Sequence, residues 1–253
     1  CAAGIAVIPP LTSDPKDTIT VDGTQTNASE SNEDITIEKN KIIGGCSLSY
    51  PIIINGEPTG RMKVVTINGN QISQIKTVNT QWSGIYLDCV DDATVDGNKV
   101  LAPGGSGIVI AGLSDGVTLG DNVIKDPRIH GVSVEAGCKN ITMGDNVIKR
   151  CGRTGILLDG VVGVTLGTNL IAGVNGNPEP GDDQTACTYI KAINATRRIS
   201  MTGNTGYNVS GFNAAMGLYI TNTCSEVSRA GNNFYGLENQ VNATNTSNGA
   251  DLG

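Results

Sequence analysis

A short pattern, apolar-Thr/Ser-x-x-x-Asn, recurs eight times and constrains this chain more than any other feature. It runs from Ile35-Thr36 to Asn40, Val65-Thr66 to Asn70, Ala93-Thr94 to Asn98 and Val117-Thr118 to Asn122. It continues from Ile141-Thr142 to Asn146, Val164-Thr165 to Asn169, Ile199-Ser200 to Asn204 and Val227-Ser228 to Asn232. Successive asparagines lie 30, 28, 24, 24, 23, 35 and 28 residues apart. A period of this size marks a solenoid, in which each repeat buries its apolar face only against its neighbours.

A second motif follows nine residues after the asparagine in the regular repeats: Gly107-Ile108-Val109-Ile110, Gly131-Val132-Ser133-Val134 and Gly155-Ile156-Leu157-Leu158. Variants occur at Gly84-Ile85-Tyr86-Leu87 and Gly217-Leu218-Tyr219-Ile220. Alternation of apolar and variable residues is the period of a strand with one buried face. Each coil therefore holds three short strands: Gly-Ile-x-Leu, Val-Thr-Leu, and a piece such as Val123-Ile124-Lys125. Stacked coils place equivalent strands parallel and about 4.8 Å apart. Asparagine tolerates left-handed backbone angles and bonds local backbone, and stacked asparagines can bond one another as a ladder, so Asn is expected at the tightest corner.

This pattern resembles the right-handed parallel β-helix of pectate lyases and phage tailspikes over nearly the whole chain. The fold expected is all-β: a right-handed single-stranded parallel β-helix of about 8–9 coils. Residues 1–253 read as one domain, with a polar inserted loop at 9–34 and a polar flexible tail at 239–253. The tailspike resemblance implies a homotrimer, placed in a virion tail or outside the cell at its surface.

Composition fits. Aromatic residues are only 4% of the chain, as a narrow interior of Val, Ile, Leu, Ala and Cys requires. The net charge is −7 and there is no Lys/Arg run, which argues against a nucleic-acid partner. No apolar stretch approaches the roughly 20 residues that span a bilayer, so membrane insertion is not expected. Seven cysteines cannot all pair internally. Cys138 and Cys224 share a column more than one coil apart, so the expectation is reduced thiols acting as small core residues. The opening Gly4-Ile5-Ala6-Val7-Ile8 reads as a strand in mid-coil, as in a fragment of a longer helix. The rival reading of Cys1, an acylated lipoprotein end, sits poorly with so apolar a start.

The irregular steps locate insertions. The Asn-to-Gly distance grows to 14 residues before Gly84 and 13 before Gly217, and residues 173–186 expand the sixth coil. All three enter at one corner, between the short third strand and the Gly-Ile-x-Leu strand. Insertions on one face of a solenoid mark its binding face. The pectate lyase resemblance implies a cleft at this corner, above this strand.

On that strand the outward column four residues after each glycine reads Asp88, Ala111, Glu135, Asp159 and Thr221. Glu135 and Asp159 fall on adjacent coils, about 5 Å apart at the backbone, with Asp88 two coils from Glu135. Carboxylates so placed repel, raise one pKa, and suit acid–base catalysis or a shared cation. The alternative is a solvated acidic stripe. His130, Arg153 and Lys191 stand beside the column as candidates for holding an anionic sugar or abstracting a proton. Trp82, Tyr86, Tyr207 and Tyr219 offer aromatic faces for sugar rings, with Tyr207 and Phe212 expected in the last cleft loop. Each of these residues also has an ordinary structural reading, as an exposed turn or a loop anchor. Asp182 and Asp183 in the third insertion join Glu135 and Asp159 as candidate calcium ligands. No cofactor is otherwise expected.

Asp91-Asp92, Ile129-His130-Gly131 and Tyr189-Ile190-Lys191 echo polygalacturonase elements at the wrong spacing, so no catalytic residue is carried over. The outward Thr column has an ice-binding reading, but threonine is also a favoured exposed strand residue. The leading expectation is a tailspike-like depolymerase of bacterial surface polysaccharide, acting through Glu135 and Asp159 with Asp88 assisting. Two alternatives are a non-catalytic adhesive stalk, and a calcium-assisted polysaccharide lyase with Lys191, Arg153 or His130 as base.

Overall fold

The chain coils into a parallel β-helix. The computed structural model describes residues 5–8, 26–27, 33–43, 50–73, 82–174, 188–212, 214, 216–235 and 242–243. The described strands form three parallel sheets of ten, eight and eight strands, and from Glu33–Glu38 to Asn233–Tyr235 successive strands fall on the three sheets in turn. The first sheet carries the Gly-Ile-x-Leu strands, Ile108–Ala111, Val132–Val134 and Ile156–Asp159 among them. The second carries the Thr strands and the third the short strands such as Val123–Lys125.

Register is exact from coil to coil. Thr36, Thr66, Thr94, Thr118, Thr142, Thr165, Ser200 and Ser228 stand in one column. The inward residues expected on the first sheet, from Ile85 and Leu87 to Ile156 and Leu158, are all buried. The first sheet also takes Ile5–Ile8 and Ile52–Asn55, which pair in parallel. Two segments read as polar add short strands here: Thr26–Asn27, within the 9–34 insertion, and Asn242–Ala243, within the 239–253 tail.

The asparagines form the predicted ladder. At each rung the backbone N–H and the side-chain amide of one Asn donate to Oδ1 of the next, from Asn40 through Asn232, at 2.8–3.2 Å. The amide also donates to a carbonyl of the preceding coil, as Asn122 does to Val95 at 2.8 Å. Asn70 through Asn204 are buried, so the network satisfies polar groups that have no access to water. The left-handed turn, however, belongs to the residue before each Asn. Lys39, Gly69, Gly97, Asp121, Asp145, Thr168, Gly203 and Gly231 all have φ between 50 and 70°. That correction separates two jobs: the residue before Asn makes the corner, and Asn fastens it.

The first-sheet glycines have a different cause. A Cβ at Gly84, Gly107, Gly131 or Gly155 would enter the Val100, Ile124, Ile148 or Ile171 side chain of the third sheet. Where Tyr189 takes the glycine's place, the third sheet gives Gly206 opposite it. The buried Tyr189 ring stacks on Phe234 at 5.8 Å, and its hydroxyl donates to Asn208 at 2.7 Å. Cys89, Cys138, Cys151 and Cys224 are free and buried, which agrees with thiols as core residues. Burial pushes the Cys89 and Cys138 thiols up to about 11.

Asn146→Ala is expected to lower unfolding free energy by about 2–4 kcal/mol, since it strands buried donors at roughly 1–3 kcal/mol each. Thr142→Ala, four residues earlier on the exposed face, should stay within about 0.5 kcal/mol in the same urea titration. Thr168→Gly should stabilise by about 1 kcal/mol, because it relieves a β-branched residue at φ 57°.

Candidate functional site

Alternation on the first sheet turns two columns outward. The central one runs Tyr86, Val109, Ser133, Leu157, Lys191 and Tyr219, each paired to the next by register. The second follows the strand ends: Asn55, Asp88, Ala111, Glu135, Asp159, Ile193 and Thr221. Val109 and Ser133 face outward yet are only 6% and 8% exposed, so they form the floor of a trough. Tyr86 closes one side of that floor along the helix axis, and Lys191 and Tyr219 lie beyond Leu157 on the other.

The carboxylates sit where the sequence placed them, with an unequal pairing. Glu135 is exposed, but partial burial of its carboxyl and the charges of Asp88 and then Asp159 still raise its pKa. Asp88, two rungs away, outranks Asp159 on the adjacent rung. Asp159 Oδ1 accepts the Asn194 amide at 2.7 Å. Asp88 lies on the same strand as Tyr86, and its charge acts on the Tyr86 hydroxyl. Burial first, then Asp88 and Glu135, push the Tyr86 phenol well above its ordinary value of 10.0. Burial, then Glu135 and Asp88, also raise Tyr50.

Tyr50 completes an aromatic group that sequence reasoning only half found. Its ring stacks on Tyr86 at 4.4 Å and 24°, and meets Trp82 edge-on at 4.9 Å and 75°. Pro51 replaces the motif glycine ahead of Ile52–Asn55, so a search for Gly-Ile-x-Leu passes this coil by. The alternation Ile52-x-Ile54 was the available signal.

The remaining candidates divide. His130 and Arg153 lie at the corner leading into the first sheet, on adjacent rungs. The His130 N–H donates to Ser106 Oγ at 3.4 Å, and the Arg153 N–H to the Ile129 carbonyl at 2.8 Å. Beside them Arg150 clasps Asp126 bidentately at 2.6 and 2.7 Å. Lys191 Nζ stands 5.4 Å over the Tyr219 ring, so these two act as one unit. Tyr207 ends the third-sheet strand Thr205–Tyr207 instead of lying in the loop, because it continues the register of Ala172. Phe212 packs toward Gly173, and its backbone bridges to Val209. Asp182 and Asp183 lie outside the described residues. Among the described residues no three His, Cys, Asp or Glu side chains group closely enough to hold a metal ion. No described helix is long and apolar enough to cross a membrane.

Comparison with known proteins agrees with this architecture. The family described as "Right handed beta helix region" matches residues 17–178, and the chain belongs to that family. No curated protein matches the sequence. Among solved structures the chain is similar to the A-module of the mannuronan C-5 epimerase AlgE4 of Azotobacter vinelandii. The identity is 14% and the TM-score 0.61, over 86% of this chain and 58% of that one. It is also similar to the periplasmic alginate epimerase AlgG, in its T265N mutant, at 19% identity and TM-score 0.50, over 89% and 42%. A third is PfbA, a surface adhesin of Streptococcus pneumoniae, at 9% identity and TM-score 0.51, over 83% and 62%. At these identities the likeness is one of fold, and this chain spans 42–62% of the length of those proteins.

Glu135 supplies a pH test. Its folded pKa is raised, so its contribution to stability is complete below the ordinary value of 4.5 and is lost as pH rises through the raised one. Glu135→Gln should therefore melt higher than wild type at pH 8 and equal to it at pH 3.5. A wild type that gains on the variant as pH rises would contradict the assignment.

Proposed function

We propose that the first-sheet trough binds a polysaccharide chain along the helix axis and that Glu135 is its acid catalyst. The observation that carries this reading is the raised Glu135 carboxyl, set between Asp88 and Asp159 on a face closed by Tyr50, Trp82 and Tyr86. A carboxylic acid that stays protonated above its ordinary range suits protonation of a leaving glycosidic oxygen. Asp159, one rung away, is placed to act as the nucleophile or as the base that activates water. The rung spacing gives about 5 Å between the Glu135 and Asp159 backbones and about 10 Å between those of Glu135 and Asp88. Carboxyl separations of roughly 5–5.5 Å serve retaining glycoside hydrolysis, and roughly 6.5–9.5 Å inverting hydrolysis. The charge of Asp88 keeps the Glu135 proton in place. The tyrosine and tryptophan faces stack on sugar rings, and Lys191 with Tyr219 holds the far end of the chain.

Two of the similar folds are named as alginate and mannuronan epimerases, which supports a polysaccharide as the ligand class, and their fellow PfbA is named an adhesin. The adhesin supports a second reading, in which the same trough binds without cleaving. An extracellular or cell-surface site of action follows from either. The tailspike-like form of the reading adds a homotrimer and a virion location, and size-exclusion chromatography with light scattering tests the trimer.

Incubation with capsular and O-antigen polysaccharides, followed by mass spectrometry, separates the readings. A hydrolase gives saturated fragments, and Glu135→Gln or Asp159→Asn lowers the rate at least about 100-fold. Unsaturated, ultraviolet-absorbing and calcium-dependent products would replace hydrolysis by the lyase alternative, with Lys191, Arg153 or His130 as base. Binding that survives Glu135→Gln with no fragments at all would leave the adhesive reading.

A further inference from the structure

On the outer face of the second sheet, away from the trough, lies a cavity of about 350 Å³ that the function above leaves unused. Its polar lining is Asn140, Thr142, Gly163, Thr165, Arg198 and Ser200, over the buried Ile141, Val164 and Ile199. The volume falls at the lower end of the roughly 300–1,000 Å³ of small-ligand clefts.

Register explains its shape. Thr142, Thr165 and Ser200 are neighbours on three successive strands and all are exposed. They present three hydroxyls at intervals of about 4.8 Å, each able to donate and accept. Two residues earlier in each strand stand Asn140, Gly163 and Arg198, all with positive φ. Gly163, lacking a side chain, opens the space between its two larger neighbours. The Asn140 amide is pinned by donation to Asp115 Oδ1 at 2.7 Å, and Asn140 Oδ1 turns toward Gly163.

Charge completes the site. Arg198 is exposed and forms no ion pair among the described residues. Lys139 and Arg197 occupy the adjoining register column on either side of Val162. Asp115 is engaged with Asn140, and Glu226 follows Arg198 on the next rung without an ion pair to it. Arg198 is the cation that lines the hydroxyl-bearing cleft itself, with Lys139 and Arg197 in the strand positions just before Asn140 and Arg198.

We propose that this cleft is a second carbohydrate site, specific for a sugar that carries an anionic group. The planar Arg198 fork takes the carboxylate or sulfate, and Thr142, Thr165 and Ser200 exchange hydrogen bonds with the sugar hydroxyls. The site stands independently of the trough and would tether an acidic polysaccharide to a second face of the helix.

The test is a site-resolved NMR titration of the whole chain at 0.15 M salt. Hexagalacturonate, a sulfated hexasaccharide, cellohexaose and sodium sulfate are the probes. An acidic hexamer is expected to shift the amides of Thr142, Thr165 and Ser200, and whichever of the two binds more tightly names the anion. Arg198→Ala should weaken that binding about tenfold or more, Thr165→Val several-fold, and Glu135→Gln not at all. Both surface variants should keep the wild-type circular dichroism spectrum. Cellohexaose binding as well as the acids, or Arg198→Ala binding like wild type, would overturn the anionic specificity. Equal affinity for sulfate ion alone would overturn the sugar assignment, and no shift in those amides with either acidic hexamer would remove the site.

Discussion

The buried asparagine ladder is the interaction on which the rest of this structure depends. Parallel coils meet only their neighbours, so the distance between rungs must be held at every turn. The ladder does this with side chains that accept two hydrogen bonds from one side and donate on the other. It leaves no polar group stranded in a dry interior. A fixed rung spacing makes columns of outward residues, and columns make sites. Asp88, Glu135 and Asp159 come together only because 23- and 24-residue steps return the chain to the same place.

Size complementarity between the first and third sheets is the second constraint. The glycines of the first sheet receive branched side chains of the third, and the exchange reverses where Tyr189 meets Gly206. That reversal occurs in the coil that carries Lys191, one before Tyr219, so the core absorbs a large ring without displacing the outer column. The trough floor at Val109 and Ser133 stays continuous with the far end of the site.

Much of this was legible in the sequence, because a solenoid writes its geometry as period. The eight Thr–Asn repeats gave the three sheets and their register, and alternation gave the outward carboxylate column. What stayed hidden follows from side-chain direction and from substitution within the motif. Pro51 masks a coil and with it Tyr50. Asn194, which donates to Asp159, comes from beyond a strand end 35 residues on, and the larger influence of the Asp88 charge on Glu135 does not follow from rung spacing. The left-handed corner was assigned to Asn and belongs to the residue before it. Four different residue types fill that position, which blurs it as a pattern. Tyr207 reads as a loop residue because Gly206 interrupts the apolar run of its strand.

The most direct test of the account is the carboxyl pKa of Glu135, measured by NMR titration in the wild type, Asp88→Asn and Asp159→Asn. The account predicts a value above the ordinary 4.5 in the wild type. It also predicts that Asp88→Asn lowers this value more than Asp159→Asn does. An ordinary wild-type value, or the reverse order between the two variants, would contradict the trough as an acid–base site centred on Glu135.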